Sequence, residues 1–303
     1  MHRFRFETPE LGTLVHRIQT ALPRPELKDF VRVFAQRDIS CGGDGFRQSD
    51  IASLEQILSF DFGDLFTLHY ANGESKLHPR IHVVGSQTAS SGYAHFKGRH
   101  DAFGIFLKPL ALWQLFRIPP AVFANQKGDG RDLLGNGIDI LWLRLAEKNT
   151  LEERIRVAEE YLLPFASKAL PRTTVMETAQ HAYRRNGAVR IQDLASDCSL
   201  SLRQYERRFE TEIGFRPKLF ARLTRFQAAL DAKRKSPEGS WLTIAHHFGY
   251  FDQMHMVLDF KKLGGLAPSE VLQQIGDYQP WSLSDLATPY DFPEIDHVPR
   301  LRR

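Results

Sequence analysis

Apolar residues along the chain keep two different rhythms, and the change falls near residue 109. From about residue 14 to residue 107 they gather in short runs rich in aromatic and β-branched side chains, separated by turn chemistry, which is the pattern of strands. FVRVFAQ (30–36), ILSFDF (57–62), LFTLHY (65–70), RIHVVGS (80–86), YAHF (93–96) and FGIFL (103–107) are the predicted strands. Ala71-Asn72-Gly73 predicts a hairpin corner, because Asn and Gly tolerate the positive φ of a tight turn. So many strands in succession suggest a cupin-like sandwich or small barrel.

After Pro109 the spacing becomes helical, first in LALWQLF (110–116), then in GIDILWLRLAEK (137–148) and TLEERIRVAEEYLLPF (150–165). Thr150 and Glu153 form a predicted capping box, and Leu151, Ile155, Ala158 and Leu162 then share one face. That face packs on its own domain or against a second copy. ALPRT (169–173) interrupts the helices, and a further capping box is predicted at Thr174 and Glu177. The expected fold is therefore α+β. A β-rich domain with trailing helices spans 1–170, an all-α domain spans 171–274, and a proline-containing tail spans 275–303.

The helical region contains the same unit twice. FETEIGFRP (209–217) and FKKLGGLAP (260–268) both place Gly five and Pro eight residues after Phe, with Leu194-Ala195 beginning 15 residues before Phe209 and Ile244-Ala245 beginning 16 before Phe260. Each copy reads as helix, tight turn, helix. Ser201 and Gln204 predict a capping box in the first copy; Gly249 supplies a left-handed turn residue and Asp252 a cap in the second. Small alanines at 195 and 245 let the two helices approach, so each copy is a helix-turn-helix unit, whose second helix fits a DNA major groove. PKLFARLTRFQAALDAKRK (217–235) joins the copies as one helix with an apolar face and a basic face, a candidate for phosphate contact.

Charge agrees with this division. Between residues 172 and 272 there are 16 Lys and Arg against 11 Asp and Glu, an excess of five, while the rest of the chain carries 24 against 25. The basic excess belongs to the repeated units.

LASDCSLSLRQYERRFETEIGFRP (194–217) and IAHHFGYFDQMHMVLDFKKLGGLAP (244–268), with the helix between them, resemble the DNA-binding domain of the AraC/XylS family of bacterial transcription regulators. The resemblance covers roughly residues 174–272, and the strand-rich front resembles the sensor half of such regulators. It implies that both second helices enter successive stretches of major groove. It further implies double-stranded DNA as partner, a small effector in the front domain, contact with RNA polymerase and a homodimer.

Counting back from Phe209, the candidate DNA-facing residues of the first unit are Ser201, Arg203, Gln204, Glu206 and Arg207, with Tyr205 turned inward. Arg203 and Arg207 are one helical turn apart and can donate to guanine. Counting back from Phe260, the second unit offers Gln253, Met254, Val257 and Leu258, with Lys261 and Lys262 for phosphates and Met256 inward. Leu258 stands where the family usually has an arginine. The first unit is thus expected to supply most base discrimination and the second mainly orientation.

No phosphate loop, dinucleotide fingerprint or nucleophile elbow occurs, and DFGD (61–64) has none of the companions of a kinase motif. His246 and His247 are adjacent, so a helix points them apart, and His255 has no second ligand at zinc spacing. His69, His78, His82, His95 and His100 lie on or near strands and can converge, so a metal-dependent or enzymatic barrel with a DNA-binding appendage stays open. No catalytic residue, cofactor or metal ligand is expected. Cys41 and Cys198 give no disulfide framework, and no membrane-length apolar run or signal-like start is present, so a cytoplasmic location is expected.

Overall fold

The computed structural model describes residues 15–275. The expected tail lies outside the described residues from position 276 onward, its first residue, Ile275, ending the last helix.

Strands fill the front. They are β1 (Val15–Ala21), β2 (Val31–Asp50), β3 (Gln56–Asp61), β4 (Thr67–Tyr70), β5 (Ser75–Leu77), β6 (Ile81–Val84), β7 (Gly92–Leu107) and β8 (Lys127–Asp129). All pair antiparallel in the order β1-β2-β7-β3-β6-β8, with β4 on β7 and β5 on β4. Among the described residues β1 and β8 end this path without pairing to each other. The β4–β5 hairpin turns at the expected corner, where the Gly73 amide donates to Tyr70 O with Gly73 at φ 88°.

One expectation changes. YAHF and FGIFL are halves of a single strand, β7, whose first half pairs with β4 and whose second half pairs with β3. The polar stretch between them, KGRHDA, hides this continuity. At the bend Gly98 takes φ 78°, and a Cβ there would collide with the Asp64 carboxylate. Across from it, β2 bulges between Cys41 and Phe46, where Gly43 and Gly45 also take positive φ.

Alternation along the strands divides the sheet's two faces. Leu58, Phe60, Phe103, Ile105 and Leu107 pack into one core with helices α1 (Ala111–Phe116), α2 (Pro120–Phe123), α4 (Gly137–Ala146) and α5 (Leu151–Ala166). Their neighbours Ile57, Ser59, Asp61, Ala102 and Phe106 instead line an interior cavity. α2 and the short α3 (Gly130–Leu134) were not foreseen. The Thr150–Glu153 capping box of α5 forms as expected, and Leu151, Ala158 and Leu162 are buried within this core, so the α5 face packs on its own domain. Arg154 of α5 makes a bidentate pair with Asp101 of β7 at 2.6 and 2.8 Å, pinning helix to sheet.

The remaining elements are helices: α6 (Thr174–Arg184), α7 (Ile191–Asp197), α8 (Leu202–Ile213), α9 (Pro217–Lys235), α10 (Trp241–His247), α11 (Gln253–Gly264) and α12 (Pro268–Ile275). The cap of α6 is Thr173, which accepts from the Met176 amide, one residue before the expected position. Ala52 and Leu54, just after β2, share a core with these helices. There the Ala52 amide donates to Leu263 O, and Gln227 of α9 accepts from the Leu54 amide and donates to Ser53 Oγ.

Candidate nucleic-acid interface

Two units repeat at the level of single hydrogen bonds. Ala195 O accepts from the Leu200 amide at 3.0 Å in the first, and Ala245 O accepts from the Tyr250 amide at 2.9 Å in the second. Both alanines are fully buried, as close helix crossing requires. The tight turn uses a left-handed residue in each, Ser199 at φ 54° and Gly249 at φ 69°. The second turn is one residue longer. That extra residue is Phe251, which is 88% exposed.

Each second helix starts from a side-chain cap. Ser201 accepts from the Gln204 amide, and Gln204 Oε1 returns to Ser201 N and Oγ at 3.0 and 2.8 Å. Asp252 accepts from the His255 amide at 2.7 Å, while His255 Nδ1 accepts from the Phe251 amide. His255 therefore has a structural task at the start of α11. Gln204 likewise spends its carbonyl oxygen on the cap and keeps its amide hydrogens for other partners.

Inward positions fall as the spacing predicts. Tyr205 and Phe209 in α8, and Met256 and Phe260 in α11, are all at most 1% exposed. Tyr205 donates to or accepts from Thr178 Oγ1 at 2.9 Å, and burial pushes its hydroxyl pKa up to about 12. Outward, Arg203, Gln204 and Arg207 are exposed while Glu206 is half-buried. Arg208 is held by Glu212 at 3.0 Å and Arg216 lies 3.7 Å from Glu210, so Arg203 and Arg207 are the α8 arginines with no ion pair among the described residues.

The second unit presents a different surface. Gln253, Met254, Leu258, Lys261 and Lys262 are exposed and Val257 is half-buried. Met254 is 64% and Leu258 51% exposed, and together with Phe251 they make an apolar outer face. Asp259, the counterpart of exposed Arg208, is buried and binds Arg222 Nη2 at 2.7 Å.

α9 is buried on nearly every side of its described residues, and three of its cations are internal struts. Arg222 binds Asp259, Arg225 lies over the Tyr250 ring and reaches Gly187 O, and Lys233 donates to Pro237 O and Gly239 O. Only Arg216 and Lys218, at its start, are exposed among the side chains described there. Three of the seven cations expected on this basic face from Arg216 to Lys235, namely Arg222, Arg225 and Lys233, are thus engaged within the fold.

Two exposed arginines that sequence reasoning passed over sit between the units. Arg185 and Arg190 line a cleft of about 580 Å³ with His181, Asp193, Arg225 and Gly249. The doublet Arg184-Arg185 before Asn186-Gly187 was the available signal. Gly187 takes φ 74°, and a Cβ there would collide with Ala221 O, so glycine is required for the turn to pack on α9.

The histidines of the front separate into two groups. His78, His82 and His100 line the interior cavity, whereas His69 bonds to Ser75 and His95 to Asp44 O near the surface. Among the described residues no group of three or more His, Cys, Asp or Glu is arranged to hold a metal ion. Cys198 is half-buried near Thr178, and burial raises its thiol pKa. No described helix is long and apolar enough to cross a membrane.

A family profile described as a helix-turn-helix domain matches residues 194–274. No curated protein sequence matches the chain. Among solved structures, ToxT from Vibrio cholerae O395 is similar with a TM-score of 0.44 at 11% identity, covering 80% of this chain and 98% of that one. Unsaturated fatty acid bound wild-type ToxT from Vibrio cholerae strain SCE256 has a TM-score of 0.45 at 11% identity, covering 88% and 97%. With the doubled unit in place and the family match lying across it, residues 194–274 are an AraC-type helix-turn-helix domain, the DNA-binding domain of a family of transcription regulators.

Proposed function

We propose that the chain is a sequence-specific regulator of transcription in which α8 reads bases and α11 mainly fixes orientation. The observation that carries this reading is the pair Arg203 and Arg207, exposed, one turn apart and without an ion pair among the described residues, on a helix held at its start by a complete capping box. Guanidinium groups so placed can donate bidentately to guanine edges. Met254 and Leu258 offer only apolar contact, such as to thymine methyls, so Gln253 is the one good hydrogen-bond reader of the second set. Lys261, Lys262, Arg185 and Arg190 are assigned to phosphates.

The front domain is assigned a small effector, held in the interior cavity. Asp50 and Lys127 form an ion pair on the cavity wall. From Asp50 the chain runs directly to Ala52–Leu54, which dock on α9 and the end of α11. From Lys127 it runs back to α2, whose Pro120 O closes on Gly214 at the end of α8. Occupancy of the cavity can therefore bias both units through two short segments, a population shift between DNA-competent states. Ile140 and Leu143 on α4, 64% and 56% exposed, are the surface assigned to a second copy of the chain. RNA polymerase is the protein partner implied by the regulator role, and the cytoplasm is its place.

Selection of bound duplexes from a random pool, followed by salt titration, tests this reading. Enrichment of a defined sequence and a linear fall of log affinity with log salt are expected. Failure to enrich any sequence at moderate salt sinks it.

A further inference from the structure

The cleft between the two units holds charges that neither base-reading helix supplies. Its volume is about 580 Å³; His181 and Arg185 come from the end of α6, Arg190 precedes α7, Asp193 and Asp197 lie one turn apart on α7, and Gly249 belongs to the second turn. Arg185 and Arg190 are exposed and make no ion pair among the described residues, and the Arg190 side chain does not cap α7. Neither guanidinium is spent on the fold.

The frame that carries them is tightly packed. A Cβ at Gly187 would collide with Ala221 O of α9, which fixes the turn between Arg185 and Arg190 on that helix. Arg225, also on α9, reaches Gly187 O and lies over the ring of Tyr250 in the second turn. The loop of the arginines and the turn that starts the second unit's outer helix are thereby tied to one stretch of α9. Their offset from α11 is set by packing.

Two successive stretches of major groove on one face of a duplex enclose a minor groove turned to the same face. With α8 in one stretch and α11 in the next, the elements between them, the start of α7 and the second turn, are turned toward that minor groove. Asp193 and Asp197 repel phosphates from their side of the cleft, which leaves the two arginines as the place where a backbone settles. Cations held at a fixed spacing across a groove gain most when its phosphate rims stand close. Runs of A·T pairs narrow the minor groove and deepen its negative potential, whereas G·C pairs put the guanine N2 amino group into it.

We propose that Arg185 and Arg190 hold the phosphate rims of the minor groove between the two major-groove sites, so that the protein selects a narrow, A·T-rich spacer without touching its bases. This rests on the reading of α8 and α11 as DNA-entering helices and adds a third determinant of sequence, carried by shape.

The test uses the full chain and the duplex enriched by pool selection, keeps both major-groove sites, and exchanges only the base pairs between them. Three spacers are compared by equilibrium binding at fixed salt: all A·T, all G·C, and G·C with inosine for every guanine, which removes the N2 amino group and keeps the major-groove edge. The A·T and inosine spacers should bind about tenfold tighter than the G·C spacer. Replacing both arginines, Arg185→Ala with Arg190→Ala, should shrink that preference to about twofold or less and lower the log–log salt slope by about two, while the preference at the base read by Arg207 stays. Both side chains are exposed and unpaired, so the double variant should melt with the parent. Equal affinity for the three spacers overturns the proposal, as does an inosine spacer that behaves like G·C, or a preference that survives in the double variant. Failure of the pool to enrich any sequence sinks the regulator reading itself, whereas enrichment of two major-groove sites around an indifferent spacer removes this inference alone.

Discussion

The two helix-turn-helix units share a skeleton and differ in what they show to the outside. Both have a buried alanine carbonyl bonded across the turn, a left-handed turn residue, a side-chain cap and an inward Phe. Yet Arg203 and Arg207 of α8 stand where α11 has Met254 and Leu258. The charge is also inverted inside, since solvent-exposed Arg208 corresponds to buried Asp259. A fold repeated by packing therefore does not oblige its surface to repeat. The frame is set by small and apolar residues at fixed spacing, whereas the outward positions are constrained only by what they touch.

The largest effect that can break this comparison concerns the inverted charge. Asp259→Ala leaves Arg222 partly buried without its carboxylate and should cost about 3 kcal/mol. Arg208→Ala in the first unit should cost only about 0.3–0.5 kcal/mol, because the pair spans i,i+4 on one helix and its arginine is half exposed. Urea unfolding of the two variants measures both, and equal costs would show that the buried pair is not what anchors α11 on α9.

Next in size is base reading. Arg207→Ala should relax preference at one base pair by about 1–3 kcal/mol, while Leu258→Ala should leave the selected sequence nearly unchanged. Binding to single-base variants of the enriched site gives the comparison. Similar losses from both substitutions would mean that the apolar face of α11 reads sequence after all.

The smallest effect lies in the turns. Ser199 adopts a left-handed conformation at a steric cost, whereas Gly249 adopts it freely. Gly249→Ala should destabilise by about 1 kcal/mol through backbone strain alone, since no atom lies within 4 Å of the added carbon. Ser199→Gly should stabilise by about 0.5 kcal/mol. Thermal melts in which both changes have the same sign would show that the turns are not equivalent.

Local features were legible because their partners are close in sequence. The capping boxes at Thr150 and Ser201 and the cap at Asp252 join residues three apart, so the motif contains both ends of each bond. The cap of α6 was misplaced by one residue because Thr173 and Thr174 are chemically alike, and only the backbone shows which one precedes the helix. The internal partners of α9 were hidden for the opposite reason. Arg222 finds Asp259 37 residues away, and Arg225 finds Gly187 38 residues away, so the run looked unpaired in one dimension.

Candidate site residues divide in the same manner. Exposure of Arg203, Arg207, Met254 and Leu258 followed from counting back from a buried Phe, since helical period fixes direction. Arg185 and Arg190 were overlooked because their cleft exists only where α6 and α7 meet the second turn. Asp61 read as one residue of the predicted strand ILSFDF, and nothing nearby announced that it would line a cavity with Gln48, His78 and His100. Likewise the break in apolar residues at 97–102 concealed a strand that stays continuous because β2 pairs with both of its halves.

By itself the sequence determined the order of a strand-rich front and a helical back, the doubled unit, its caps and the contrast between its two outward faces. These are consequences of periodicity and short-range hydrogen bonding, which act within about one helical turn or one strand step. Tertiary structure decided which cations are spent inside the fold, how the end of β2 docks on α9 and α11, and which polar groups are gathered in the interior cavity. Each of these depends on long-range packing that brings distant residues within bonding distance, and spacing along a single chain does not encode that proximity in readable form.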